Sequence, residues 1–90
     1  MVVRYFADIR PLAGTDEEEL GKVPPTVNAL LTSLAAAKGA AFERRVFEGG
    51  KLSSTIILLV NGRNVLHLNG VETALKPDDV VAVFPMVAGG

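Results

Sequence analysis

Apolar and polar positions change their period along the chain, and the changes predict the order of strands and helices. Runs of β-branched and aromatic residues predict strands, whereas apolar residues three and four positions apart predict helices. The predicted strands are residues 2–7, 16–20, 56–60, 64–68 and 80–85. A main helix and a minor helix are predicted between the second and third strands. This order of strands and helices is typical of an α+β domain.

The main helix has clear signals at both ends. Thr26 is suited to cap its first turn, and Lys38 and Gly39 suit its last turn. The apolar residues between them follow helical spacing. Phe42 and Val46 stand four positions apart and predict a short second helix directly afterwards.

Ile56–Val60 is an unbroken apolar run, which predicts a central strand covered on both faces. The pair Asn61-Gly62 follows it at once and favours a two-residue hairpin turn, so the strand at 64–68 is expected to return antiparallel. Residues 8–14 contain a proline and end in glycine, which predicts a loop. Residues 71–75 predict a single helical turn.

The acidic run Asp16-Glu17-Glu18-Glu19 falls in a predicted edge strand. Four acids in succession would also suit a functional patch. More often such a run is a solvated face whose charges prevent edge-to-edge aggregation, and we adopt that interpretation.

Composition restricts the classes of function. Ninety residues, 49% of them hydrophobic, fit one small soluble domain, and the chain opens without the features of a secretory signal, so a cytoplasmic location is expected. A net charge of −1 with dispersed basic residues predicts neither nucleic-acid nor membrane partners. There is no cysteine, and His67 is the only histidine, so we predict no metal site and interpret His67 as a half-exposed strand residue.

The chain ends in Val87-Ala88-Gly89-Gly90, directly behind the last predicted strand. Two glycines make a thread without side chains, able to enter a narrow cleft and present the Gly90 carboxylate to another protein. A frayed terminus is the alternative explanation of the same residues. We divide the chain into a folded domain, residues 1–84, and a flexible tail, residues 85–90.

Nearly the whole chain resembles the MoaD/ThiS sulfur-carrier family, most strongly in its C-terminal third, and within that family it is most similar to the MoaD branch. The resemblance rests on Leu59-Val60-Asn61-Gly62-Arg63-Asn64, Leu68-Asn69-Gly70, Ala74-Leu75-Lys76, Asp78-Asp79-Val80-Val81 and the ending Phe84-Pro85-Met86-Val87-Ala88-Gly89-Gly90. One position departs from the family, whose usual ending has two prolines after the phenylalanine. Here Met86 follows Pro85, which makes the tail less stiff but keeps its glycines.

The resemblance implies a ubiquitin-like β-grasp. This fold is a mixed sheet of four to five strands with one main helix and a short second helix, in which the first and last strands lie parallel at the sheet centre. Alternation along those two strands brings Phe6 and Phe84 close together. Either both rings belong to the core or they form a docking patch on the open sheet face, and the resemblance favours docking, with Pro85 beside them.

The resemblance also implies a function as a sulfur carrier that is not itself an enzyme. An E1-like, MoeB-like enzyme would use ATP to adenylate Gly90, and a sulfur donor would then convert the carboxyl to a thiocarboxylate. The tail residues Val87, Ala88 and Gly89 would thread into a MoaE-like large subunit of molybdopterin synthase. No cofactor is expected on the chain itself.

Three alternatives stay open. The same activated Gly90 would serve a ubiquitin-like modifier joined to lysines of target proteins. It would equally serve a sulfur carrier for thiamine synthesis or tRNA thiolation. A β-grasp binding module that never undergoes activation at its C-terminus is the third possibility.

Overall fold

The computed structural model describes residues 1–86, which form a five-stranded sheet covered on one face by helices. The strands are β1 (Val2–Tyr5), β2 (Glu17–Glu19), β3 (Phe47–Glu48), β4 (Lys51–Leu52), β5 (Ile56–Val60), β6 (Arg63–Asn64) and β7 (Val80–Pro85). The helices are α1 (Ile9–Ala13), α2 (Val27–Lys38) and α3 (Ala40–Val46), followed by 3-10 helices at Val65–His67 and Gly70–Glu72.

The sheet has the strand order β2-β1-β7-β5-β6, and β3 and β4 form a separate hairpin. β1 runs parallel to β7, and β5 pairs with the other side of β7 in antiparallel orientation. This is the predicted ubiquitin-like β-grasp, with the first and last strands side by side at its centre. The central strand is β7, so the prediction that β5 holds the centre is wrong.

The main core lies between the sheet and α2. Alternate residues of the strands, such as Val3, Val81 and Leu58, are buried against the buried leucines of α2. The residues between them on β5, Ile57 and Leu59, are only half-buried. β5 is therefore covered on one face, and the predicted burial of both faces is wrong because no second layer of helices within residues 1–86 covers the sheet.

The two predicted helices after residue 26 are confirmed. The Ala29 N–H donates to Thr26 Oγ1 over 3.2 Å, and α2 ends at Gly39, whose φ of 101° suits glycine. Phe42 and Val46 of α3 are fully buried. The short helix ends at Val46, and the chain turns directly into the hairpin of β3 and β4.

The predicted loop at residues 8–14 is instead the short helix α1. Its buried residues Ile9 and Ala13 stand four apart and face the core. Pro11 is the third helical residue, where the backbone N–H has no partner within the helix and a proline is tolerated. Gly14 then ends the helix in the left-handed conformation, with φ of 79°. The proline therefore lies in the first turn of a helix and the glycine ends it, so neither marks a loop here.

The hairpin after β5 is confirmed, but its return strand is not. Asn61 and Gly62 have φ angles of 52° and 82°, as a type I′ turn requires. Pairing then stops at Asn64, because its side chain accepts the Leu66 N–H at 2.9 Å and begins a 3-10 helix. His67 is exposed in this helix and not part of a strand. The helical turn predicted at residues 71–75 is a 3-10 helix that begins and ends earlier, at Gly70–Glu72.

Candidate functional site

The central strand β7 ends at Pro85, and Met86 lies at this end of the sheet. The Met86 N–H donates to the Thr55 carbonyl at 2.7 Å, which continues the pairing of β7 with β5 by one more residue. The predicted threading residues Val87, Ala88 and Gly89 and the predicted reactive residue Gly90 lie outside the described residues. The structure therefore defines the point from which the tail leaves the sheet.

Pro85 occupies a position on β7 where a proline removes no sheet hydrogen bond. The Phe6 N–H donates to the Val83 carbonyl at 3.1 Å, but the Phe6 carbonyl accepts the Ile9 N–H instead of continuing along β7. The Phe6 carbonyl is thus already paired where the parallel ladder reaches the Pro85 nitrogen, so the missing N–H of Pro85 leaves no acceptor on β1 unpaired. Pro85, the last residue of β7, therefore lies beyond the end of β1.

A polar cluster holds the strand segment at the exit point. Arg45 of α3 donates from Nη1 to Thr55 Oγ1 at 2.9 Å and from Nε to Asp8 Oδ2 at 3.3 Å. The hydroxyls of Ser53 and Thr55 lie 2.7 Å apart. These contacts join α3 and the start of α1 to the residue that pairs with Met86. No periodic pattern predicts this cluster, because its members come from separate elements.

Phe6 and Phe84 stack on each other at the same end of the sheet. Their ring centroids are 4.1 Å apart and their planes differ by 11°. Both residues are half-buried, and neither belongs to the buried core. The predicted proximity is confirmed, and the alternative that places both rings in the core is wrong. Their role in binding a partner stays a prediction.

Pro85 lies on the other side of the sheet from these two rings. In the antiparallel register Pro85 is opposite Ile56, which is buried on the helix-covered face, whereas Phe84 is opposite Ile57 on the open face. The expected group of three docking residues is therefore divided between two faces. Partner binding by Pro85 stays a prediction.

The positively charged side chain of Arg10, on α1, lies beside the aromatic pair. Its guanidinium lies 5.9 Å from the centroid of the Phe6 ring, and its Nε donates to the Tyr5 carbonyl at 3.2 Å. The side chain is half-exposed, so the guanidinium also faces solvent. This contact could not be predicted, because a loop at residues 8–14 does not determine where the Arg10 side chain lies relative to β1.

The rest of the open face is mainly apolar. Seven apolar residues on three neighbouring strands share this face by register and are half-buried, with the exposed Arg4 of β1 between two of them: Val2, Phe6, Ile57, Leu59, Val80, Ala82 and Phe84. At its β2 side the Arg4 Nε contacts Glu17 Oε1 at 2.7 Å. We call these seven residues the open-face patch. Apolar surface of this kind, bounded by charge, is typical of a protein-binding site.

The acidic run of β2 is only partly a solvated face. Asp16 and Glu19 are exposed as expected, but Glu18 accepts the Tyr5 hydroxyl at 2.5 Å and contacts Lys38 Nζ at 2.8 Å. Burial raises the pKa of Tyr5, and the neighbouring Glu18 carboxylate raises it further. Burial opposes ionisation of Glu18, but hydrogen bonds from Lys38 and Tyr5 outweigh it and lower the pKa of this carboxyl. Glu18 therefore joins β1, β2 and α2.

Residues 1–86 contain neither a cluster of potential metal ligands nor a helix able to cross a membrane. No group of three or more His, Cys, Asp or Glu side chains there could hold a metal ion. Among the helices of this part of the chain, none has the length and apolar character needed to cross a membrane.

Comparison with known proteins identifies relatives along the whole chain. The family model described as the ThiS family matches residues 3–90. Small archaeal modifier protein 3 of Haloferax volcanii is 35% identical over 96 aligned residues, covering 98% of this chain and 96% of the relative. The molybdopterin synthase sulfur carrier subunit of Escherichia coli is 36% identical over 88 residues, with the same coverage of 98% and 96%.

The fold also matches a solved structure closely. The solution structure of small archaeal modifier protein 1 from Methanosarcina acetivorans superposes with a TM-score of 0.86. The two sequences are 36% identical, and the match covers 99% of this chain and 94% of that one.

Proposed function

The chain belongs to the ThiS family of small ubiquitin-like proteins, and from this membership we propose that it is a sulfur carrier activated at Gly90. Gly90 supplies the carboxylate that reacts, while the folded domain is recognised by the enzymes that act on it. The observation that supports this proposal best is the position of the exit point. The tail begins at the end of the central strand, beside the open-face patch.

The chemistry requires activation because a carboxylate is a poor acylating agent. A carboxylate oxygen of Gly90 attacks the α-phosphorus of ATP on an E1-like adenylating enzyme, and pyrophosphate leaves. A sulfide-level donor then attacks the carbonyl carbon, a C–S bond forms and AMP leaves with the adenylate oxygen. The product is a thiocarboxylate, whose sulfur is nucleophilic. The folded domain contributes binding and orientation rather than an acid or a base.

We propose molybdopterin synthesis as the route that uses this sulfur. Support comes from the Escherichia coli relative, whose name describes a sulfur carrier subunit of molybdopterin synthase and which aligns along nearly the whole chain. In this proposal the tail enters a MoaE-like large subunit. The open-face patch docks against the partner, since it lies where the tail leaves the sheet.

A second function has support of similar weight. Relatives named small archaeal modifier proteins match this chain in sequence and in fold. In a modifier, a lysine ε-amine attacks the activated carbonyl, an amide bond forms, the bond to the AMP oxygen breaks and AMP leaves, and the nitrogen loses one proton. Both functions use the same adenylated Gly90, and the identity of the nucleophile separates them.

Intact-mass analysis tests the shared step. The full chain is incubated with the E1-like enzyme of its source organism, ATP and a sulfide donor. We expect one terminal oxygen to be replaced by sulfur, with a control lacking ATP unchanged. If an enzyme active on another carrier of the same organism produces no such change, the proposal of a sulfur carrier fails.

The acceptor is then identified by a second measurement. The thiocarboxylate form is mixed with the MoaE-like subunit and its pterin substrate, and separately with a lysate of the source organism and ATP. Return of the chain to its carboxylate mass in the first mixture supports molybdopterin synthesis. Peptides joined through Gly90 to lysine in the second mixture support protein modification.

A further inference from the structure

The two methionines of the chain differ in their exposure to solvent. Met1 is 7% exposed and belongs to the buried core, whereas Met86 is 53% exposed. A thioether is oxidised to a sulfoxide when an oxidant reaches its sulfur. Burial therefore protects Met1 and leaves Met86 accessible. The chain has no cysteine, so no thiol of its own competes for the same oxidant.

Met86 lies where the tail leaves the sheet. Its N–H donates to the Thr55 carbonyl at 2.7 Å, and Arg45 Nη1 donates to Thr55 Oγ1 at 2.9 Å, so the backbone at this position is attached to the sheet. The Met86 side chain lines an apolar recess together with Ile57 and Leu66. It does not belong to the buried core. A change in the polarity of this side chain therefore alters the surface beside the tail and leaves the core intact.

We propose that Met86 is a site of reversible oxidation by a peroxide, and that its sulfoxide weakens binding of the protein that receives the tail. With hydrogen peroxide, a lone pair on the Met86 sulfur attacks one oxygen, an S–O bond forms and the O–O bond breaks. A proton moves between the two oxygens, and water leaves. The sulfur loses two electrons, and the peroxide gains them. A dithiol reductant reverses the change, because it becomes a disulfide while the sulfoxide oxygen leaves as water.

This inference rests on the proposed function, in which an enzyme encloses the tail. An enzyme that reaches Gly90 also approaches Met86, because the four residues between these positions span at most about 14 Å. The thioether is apolar and can be buried in such an interface, whereas the sulfoxide is polar and carries a hydrogen-bond acceptor. Burying that oxygen without a donor costs free energy, so the oxidised chain binds more weakly.

Mass analysis after peroxide treatment tests the site of oxidation. The full chain is treated with hydrogen peroxide, the peroxide is removed with catalase, and the oxygen gained at each methionine is measured after proteolysis. We expect Met86 to react faster than Met1 by about tenfold or more, because the rate follows the exposure of the sulfur. Met1 is the internal control, and the two methionines should react at similar rates in denaturant.

Calorimetry with the E1-like adenylating enzyme tests the effect on binding. We expect the oxidised chain to bind more weakly than the reduced chain by about tenfold or more, the effect of losing one apolar anchor. Methionine sulfoxide reductase with a dithiol should restore the affinity. Met86→Leu is the matched control, since leucine is apolar, of similar volume and without sulfur. Whatever the affinity of this variant, peroxide treatment should leave it unchanged. Oxidation should also leave the thermal unfolding of the chain unchanged, because Met86 lies outside the core.

The other outcomes overturn the proposal and can be told apart. Equal rates at Met1 and Met86 in the folded chain reject Met86 as a selective site. Unchanged affinity of the oxidised chain, with normal sulfur uptake, rejects the effect on binding and leaves the carrier function intact. Weaker binding of Met86→Leu after peroxide treatment assigns the effect to another residue, and a lower thermal stability of the oxidised chain assigns it to unfolding. Absence of sulfur uptake by the reduced, unaltered chain rejects the carrier function itself, and with it the effect on binding.

Discussion

Phe84 allows binding and folding to be separated at the scale of one residue. Its ring stacks on Phe6 outside the core, so Phe84→Ala removes a surface contact and leaves the buried layer intact. We expect the free energy of unfolding to fall by about 2 kcal/mol, from the loss of one aromatic pair and of the half-buried ring area. Binding to the activating enzyme or the synthase subunit is expected to weaken by more than about 1 kcal/mol. Denaturant unfolding and titration of the same variant measure both quantities.

Phe42 is the matched control for this substitution. It is fully buried, and its ring meets Tyr5 edge-on with centroids 6.2 Å apart. Phe42→Ala should lower the free energy of unfolding by about 3–5 kcal/mol, because it leaves a cavity in the core. Equal destabilisation by the two substitutions would contradict the surface position of Phe84. Unchanged binding by Phe84→Ala would remove it from the docking surface.

Residue positions were predictable from sequence where a strand determines the direction of side chains. Alternation in the first and last strands, with their parallel pairing inferred from the family resemblance, predicted that Phe6 and Phe84 meet. Arg10 and Arg45 were not predictable in this way. Each reaches its partner from a helix whose packing against the sheet depends on tertiary contacts rather than on a local period.

At the scale of elements, Glu18 joins the sheet edge to the end of α2. Its carboxylate contacts Lys38 Nζ at 2.8 Å and accepts the Tyr5 hydroxyl, and Lys38 also donates to the Ala13 carbonyl at 2.9 Å. Glu18→Gln removes the charged acceptor of both hydrogen bonds. We expect it to lower the free energy of unfolding by about 1–2 kcal/mol at neutral pH. Glu19→Gln, on the same strand but exposed, should change stability little.

The pH dependence of this difference has a defined sign. The pKa of Glu18 lies below its ordinary value of 4.5 in the folded chain, so the unfolded chain binds its proton more strongly. The stability that Glu18 contributes is therefore present above pH 4.5 and is lost as the pH falls through its folded-state pKa. The difference between the unaltered chain and Glu18→Gln should shrink over this range. A difference that stays constant would show that ionisation of Glu18 is not involved.

Long periodic elements were predicted well, and short ones were not. α2 has twelve residues with a cap at one end and glycine at the other, so local signals agree along its length. α1 has only five residues, and its proline and glycine were interpreted as loop signals. β6 stops after two residues because a side-chain cap at Asn64 competes with the strand. Such short elements depend on single contacts that have no period.

At the scale of the whole molecule, the fold and the proposed chemistry occupy different parts of the chain. The buried core extends from Met1 to Val83, and the last described backbone pairing is that of Met86 with Thr55. Gly90 lies four residues beyond this pairing. The sequence predicted the fold of the first part through its patterns and the family resemblance. The role of Gly90 stays a prediction, because it rests on the residue type at the chain end and on that resemblance.

Deleting Gly90 tests this separation directly. We expect the midpoint of thermal unfolding to stay within about 1 °C of the unaltered chain, since the core of the described residues ends at Val83, and sulfur uptake to be abolished. Appending one alanine after Gly90 is the matched control, because it keeps the glycine but converts its carboxylate to an amide. Both variants should fold normally and fail to gain sulfur in intact-mass analysis. Sulfur gained by either variant would mean that the reacting carboxylate need not belong to Gly90. A large loss of thermal stability on deletion would instead make the tail part of the fold, and the domain could then no longer present its end freely to an enzyme.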